Sequence, residues 1–163
     1  MNDAVSDLLT ALARQEEMLV FPRFDNSTAW DLGVHLTEAA HAARHPIAIA
    51  IRRNGQRLFH AALPGSSAEN DAWIERKSGV VDRYGHSSYF VGTQFRARGE
   101  DFDKDSRLDV NLFAAHGGAF PIFVQNVGAI GAVAVSGLPQ VEDHNFVVTE
   151  LERFLRQRGE FED

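Results

Sequence analysis

His116 is followed by Gly117 and Gly118, and this tripeptide lies between two apolar runs of the chain. An imidazole beside two glycines can ligate a cofactor metal or act as a general base near neutral pH. The glycines leave room for a ligand or another backbone to come close. The plainer alternative is a loop histidine at a strand end, with Gly117 and Gly118 demanded only by the turn. Asp143 and His144, beside Glu142, fall in the expected first turn of the last helix. Carboxylates there complement the helix dipole, so capping is one account. The other is that Asp143 orients a histidine, as carboxylates near ligating imidazoles commonly do. Neighbours on a helix point roughly 100° apart, so Asp143 would serve His116 or a ligand rather than His144. Ser136 and Gly137 end the last apolar run just before this helix, a junction able to present N–H groups to an anion, and equally an ordinary turn. Trp73 and Lys77 share a helix face at i, i+4, suited either to stacking on a ligand or to core and subunit packing.

Other patterns are weaker. His41 and His45 have metal-like spacing, but no glutamate stands beside His41, where Ala42 is found, so a surface face is the expected account. The series Asp101, Asp103, Asp105 and Asp109 opens like a calcium loop. It then places Ser106 where the turn needs glycine and Leu112 where a bidentate glutamate belongs, which leaves a solvated acidic loop. There is no G-x-S-x-G elbow, no P-loop and no G-x-G-x-x-G.

The bulk numbers narrow the class. A chain of 163 residues, 44% hydrophobic and 24% charged, is expected to form a single domain over 1–163 with a real core. It has no cysteine and a net charge of −7. The first removes disulfides and thiolate chemistry and fits a reducing compartment; the second disfavours nucleic acid, which needs a basic stripe. The amino terminus lacks a signal-peptide pattern and no apolar stretch nears the roughly 20 residues of a membrane span. The expectation is therefore a cytoplasmic protein without a membrane partner.

The elements that must position these residues follow from periodicity. Helices are expected from Asp3, from Asn26–Ser27–Thr28 (inward face Ala29, Leu32, Gly33, Leu36, Ala40, Ala43), from a Ser66/Glu69 capping box, from Ser87, and after Pro139. Ile47, Ile49 and Ile51 alternate with alanines, and Asn54-Gly55 then marks a two-residue hairpin into Leu58, Phe59 and Ala61. Residues 112–115, 119–125 and 129–136 read as three further strands, and 18–21 as a strand or a buried connector. The fold class expected is α+β: an antiparallel sheet of about five strands flanked by helices.

The motif Ala114-Ala115-His116-Gly117-Gly118-Ala119-Phe120-Pro121-Ile122 and the run Gly128-Ala129-Ile130-Gly131-Ala132-Val133-Ala134-Val135-Ser136-Gly137 resemble the paired signature of the GlcG/HbpS-like family, described as a haem-degrading domain. Ser136-Gly137-Leu138-Pro139-Gln140 with Glu142-Asp143-His144, and the segment from Trp73 through Lys77 to Ser87-Ser88, resemble one intracellular branch of it. The resemblance implies a profilin-like or PAS-like α/β/α fold and ring-like homo-oligomers. Relatives are associated with haem, with corrinoid-related proteins or with no known ligand, so haem is one cofactor it allows, with His116 as the iron-ligand candidate. It also brings Pro121 into the candidate ligand-binding set. The favoured reading is a cytoplasmic, homo-oligomeric small-molecule-binding protein whose ligand is haem or a related tetrapyrrole. A haem-degrading enzyme and a ring-forming structural or adaptor protein are the alternatives. Arg52, Arg53, Arg57, Lys77 and Arg83 are the cations available to meet acid groups, and the 12 Phe among 163 residues fit an aromatic subunit interface.

Overall fold

The computed structural model describes residues 3–163. In chain order the elements are α1 (Asp3–Met18), β1 (Val20–Phe21), α2 (Asn26–Ala42), β2 (Ala48–Arg53), β3 (Gln56–Ala62), α3 (Ala68–Tyr84), α4 (Ser88–Ala97), α5 (Phe102–Asp105), β4 (Ala119–Val124), β5 (Gly128–Ser136) and α6 (Gln140–Gln157). The five strands form one sheet in the order β1-β4-β5-β2-β3. Asn54 and Gly55, with φ of 50° and 82°, make the β2–β3 turn, because both residues accept the left-handed region that such a hairpin needs. β5 then pairs antiparallel with β2, Ile49 opposite Val135, and with β4, Phe120 opposite Val133.

Alternation along the strands divides large from small side chains. Ile47, Ile49, Ile51, Phe120, Ile122, Val133 and Val135 share one cluster with Leu32 and Leu36 of α2 and Val147, Leu151 and Leu155 of α6. Ala48, Ala50, Ala119, Ala132 and Ala134 share the other with Ile74 and Val81 of α3. The alanine face lets α3 lie close on the sheet, and α2 and α6 cover the opposite face. This is an α+β fold with the sheet between two helical layers.

Four expectations need correction. Residues 112–115 form a turn and an irregular segment rather than a strand, because their backbone bonds to a helix: Ala114 N donates to Arg76 O at 3.1 Å. The carbonyl of Leu112 sits against Gly79, where a Cβ would lie 2.7 Å from it. The sheet is mixed, since the short β1 pairs parallel with β4, Val20 beside Phe123. The α3 cap is Ser67 with Asn70, one position beyond the expected Ser66/Glu69, because the Ser66 hydroxyl is spent on Leu63 O at 2.7 Å. α2 is capped by Asp25 with Thr28 and ends at Ala42, leaving Ala43 exposed rather than inward.

Candidate functional site

Lys77 enters the space between α3 and α6 almost completely buried, at 2% exposure. Its Nζ donates to Val135 O at 2.5 Å, to Gly117 O at 3.0 Å and to Asp143 Oδ2 at 3.4 Å. Three acceptors match the three N–H bonds of an ammonium, so this geometry holds the charged form. Burial pulls the Lys77 pKa below its ordinary value, and the Asp143 charge pulls it back. Burial likewise pushes Asp143 up, against the lowering effects of Lys77 and of the Leu138 and Gly137 N–H groups. Leu138 N donates to Asp143 Oδ1 at 3.0 Å. The anion cradled by the Ser136-Gly137-Leu138 junction is therefore the chain's own Asp143.

The two glycines after His116 have a packing cause. A Cβ on Gly117 would lie 2.2 Å from Gln140 O, and one on Gly118, at φ 132°, would lie 2.2 Å from Lys77 Nζ. No backbone carbonyl or anchored ammonium can yield by that much, so glycine is required at both positions. Gly137, at φ 146°, is similarly wedged against Pro46 O at 2.3 Å. The loop bearing His116 is thus clamped between the start of α6 and the Lys77 staple.

His116 itself is exposed. Its ring lies 5.0 Å from that of Trp73, and the Arg76 guanidinium covers Trp73 at 4.1 Å. Among the described residues its ring nitrogens make no hydrogen bond. Desolvation lowers its pKa, Asp103 opposes this, and Lys77, Arg96 and Arg76 add to it, so the neutral imidazole, a metal-ligand form, dominates at neutral pH.

One pocket of about 260 Å³ brings together seven of the sequence candidates: Trp73, Lys77, His116, Gly117, Ser136, Gly137 and Asp143. Asn70, Leu138 and Gln140 complete its wall. On the other side of His116 a second pocket of about 230 Å³ includes Arg96 and Asp103. The remaining candidates stand elsewhere. Gly118 lies behind Lys77. Pro121 is buried in β4; the outward N–H of Ala119, two residues earlier, donates to Ser88 Oγ at 3.1 Å, so at Pro121 an absent outward N–H removes no rung of the β5 ladder. His144 is 1% exposed and holds α1 through Gln15 Oε1 at 2.8 Å. Burial takes its pKa down to about 4.

Asn70, Gln140, Arg76 and Arg96 were not singled out from sequence. Asn70, Trp73 and Lys77 fall at i, i+3 and i+7, one stripe of α3, and that spacing was the available signal for Asn70. Of the cations available to meet acid groups, Lys77 lines this pocket, whereas two of the arginines are paired elsewhere. Arg52 is paired with Glu75 and Asp82, and Arg57 faces Glu75 at 3.7 Å. His45 packs edge-on to Phe146 at 5.5 Å. The acidic segment folds into α5, with Asp101 accepting from Lys104 N at 3.3 Å. Among the described residues no group of three or more acidic, histidine or cysteine side chains is placed to hold a metal ion, and no helix is long and apolar enough to cross a membrane.

Residues 24–152 match the family model described as haem degrading protein HbpS-like. A UPF0303 protein of Streptomyces coelicolor is 60% identical over 144 residues, which is 88% of this chain and 91% of that protein. The crystal structure of the Ybr137w protein superposes with a TM-score of 0.84 at 31% identity, covering 92% of this chain and 88% of that one. The PduOC:heme complex has the same fold, with a TM-score of 0.64 at 16% identity, over 81% of this chain and 94% of that one.

Proposed function

The chain belongs to the HbpS-like family, and on that premise we propose that it is a cytoplasmic, homo-oligomeric protein binding a small molecule, with haem or a related tetrapyrrole as the ligand. His116 carries this reading. It is an exposed imidazole without a hydrogen-bond partner among the described residues, held on a clamped loop, neutral at neutral pH and flanked by Trp73. Those are the properties of an axial iron ligand. Arg76 and Arg96 add positive charge near His116, opposed by Asp103, and Arg76 itself faces Glu69 at 3.7 Å. The family description and the haem present in the PduOC complex point the same way.

The single-chain pocket fits this ligand only in part. About 260 Å³ lies below the roughly 300–1,000 Å³ of pockets that enclose drug-sized ligands. A macrocycle held by His116 would exceed this pocket and would need cover from outside this chain. Val110 and Leu112, on the segment running up to His116, are 50% and 60% exposed, and Val141, next to Gln140, is 44% exposed. We infer that these side chains, near His116 and Gln140 in sequence, form an apolar rim suited to a second copy of the chain. The lack of cysteine fits a reducing compartment.

An absorbance titration with haemin, run beside His116→Ala, tests the proposal. A saturable Soret shift in the wild type that is lost in the variant supports it. Identical featureless titrations of both proteins remove haem from the account. Adding reductant and oxygen to the loaded protein then separates binding from turnover, which would bleach the band with time.

A further inference from the structure

Two hydrogen-bond chains end at the pocket beside His116, and a backbone N–H fixes the direction of each. The first starts at Ser67, whose N–H donates to Asn70 Oδ1 at 2.9 Å. This pins the carbonyl end of the Asn70 amide and leaves Nδ2 to donate to Ser136 Oγ at 3.4 Å. The Ser136 hydroxyl therefore accepts from Asn70 and keeps its own proton to donate. That side chain lines the pocket and is only 5% exposed. The second chain starts at Gly117, whose N–H donates to Gln140 Oε1 at 3.0 Å. The Nε2 of Gln140 is left with two protons and no acceptor among the described residues. A backbone N–H cannot accept, so neither amide can be reversed without losing a bond.

The ionised groups below offer a ligand little. Lys77 spends its three protons on Val135, Gly117 and Asp143, and Asp143 is engaged by Lys77 and Leu138. Ser136 and Gln140 thus present unspent donors that want an acceptor. Two donors lining one pocket match the two oxygens of a carboxylate. A dianion such as phosphate would meet stronger repulsion from the buried Asp143.

We propose that this pocket is a recognition site for a carboxylate group, held by the Ser136 hydroxyl and the Gln140 amide. The inference deepens the binding reading, because tetrapyrroles carry acid arms, but the same chemistry also fits a free small carboxylic acid.

Sodium propionate titrated into the isotopically labelled full chain, against sodium chloride at equal ionic strength, tests the site without haem. The side-chain amide signals of Gln140 and Asn70 report occupancy. The expected result is a saturable shift of Gln140. Gln140→Glu keeps an oxygen for the Gly117 N–H but replaces the donor with a negative acceptor, and it should weaken propionate at least about tenfold. Ser136→Ala should weaken it about three- to tenfold. No saturable shift in the wild type, or unchanged affinity in a folded Gln140→Glu protein, overturns the proposal. Haemin and its dimethyl ester then identify the source of the group. A roughly tenfold preference for the free acid, lost in Gln140→Glu, assigns the site to a tetrapyrrole arm. Equal binding of acid and ester alongside a saturable propionate response assigns it to a free acid. Loss of all haemin binding with the propionate response intact rejects the tetrapyrrole reading and keeps the carboxylate site.

Discussion

His116 and His144 lie on either side of the same glycine turn and meet opposite environments. His116 is exposed, whereas His144 packs among Gln15, Tyr89 and Phe120 with its Nδ1 buried and unpaired. The unfolded chain takes up a proton at His144 near the ordinary 6.5, but the folded protein does so only at about 4. Between those values the unfolded state binds more protons, so stability is full above pH 6.5 and declines as pH falls toward 4. The depression corresponds to about 3 kcal/mol. Chemical denaturation at several pH values should show that loss in the wild type and a curve flatter by about that amount in His144→Leu; parallel curves would mean that His144 is not the group responsible. Lys77 makes a second case at this scale. Lys77→Met strands the buried Asp143 carboxylate and should cost about 3–5 kcal/mol, while Lys77→Met with Asp143→Leu should cost much less than the sum of the single changes. Additive losses in denaturant titrations would deny the coupling. The sequence singled out Lys77 and Asp143 separately, but nothing in their spacing of 66 residues shows that they meet.

At the scale of elements, the alternation of side-chain size in β2 and β5 decides which helix lies on which face. Ala134 and Val133 are adjacent in β5, the first toward α3 and the second toward α2 and α6. Opposite changes of volume should therefore harm both sites. Ala134→Val overpacks the α3 seat, at about 1–3 kcal/mol, and Val133→Ala opens a hole in the larger core, at about 1–3 kcal/mol. A stabilised Ala134→Val protein in thermal melts would show that the alanine face has slack. Strands with this alternation and an Asn-Gly turn were legible from sequence because the pattern and the turn chemistry agree. Residues 112–115 were misread because an apolar run shows no more than burial, and here Gly79 and the Arg76 carbonyl draw the segment onto a helix. β1 was ambiguous because two residues carry no period. The α3 cap was displaced by one residue because Ser66 and Ser67 are equivalent in sequence, and only the turn at Leu63 separates their roles.

For the whole molecule, the motif around His116 and the strand-to-helix junction near Ser136 converge on one pocket because β4 and β5 are antiparallel neighbours, Ala119 opposite Ala134, that run out and back. Glycine-rich motifs located that meeting because close approach of backbones restricts the residues allowed there. The donors Gln140 and Asn70 were less visible, since an amide acquires a direction only when its partner is known. What one chain lacks is enclosure. A pocket of about 260 Å³ leaves a tetrapyrrole mostly in water, whereas the apolar rim of Val110, Leu112 and Val141 is costly to leave exposed. Both deficits end together if a second copy covers the rim. A stable interface of that kind buries about 1,200–2,000 Å² in total, and a charge placed within it is strongly disfavoured. Leu112→Glu with Val141→Glu should therefore lower the native mass toward a single chain while leaving the core and its far-ultraviolet signature unchanged. The same variant should weaken haemin binding by about tenfold or more while retaining the His116-dependent Soret shift at high haemin. An unchanged native mass, or an assembly that dissociates with haemin affinity unaltered, would show that this rim is not the cover of the site.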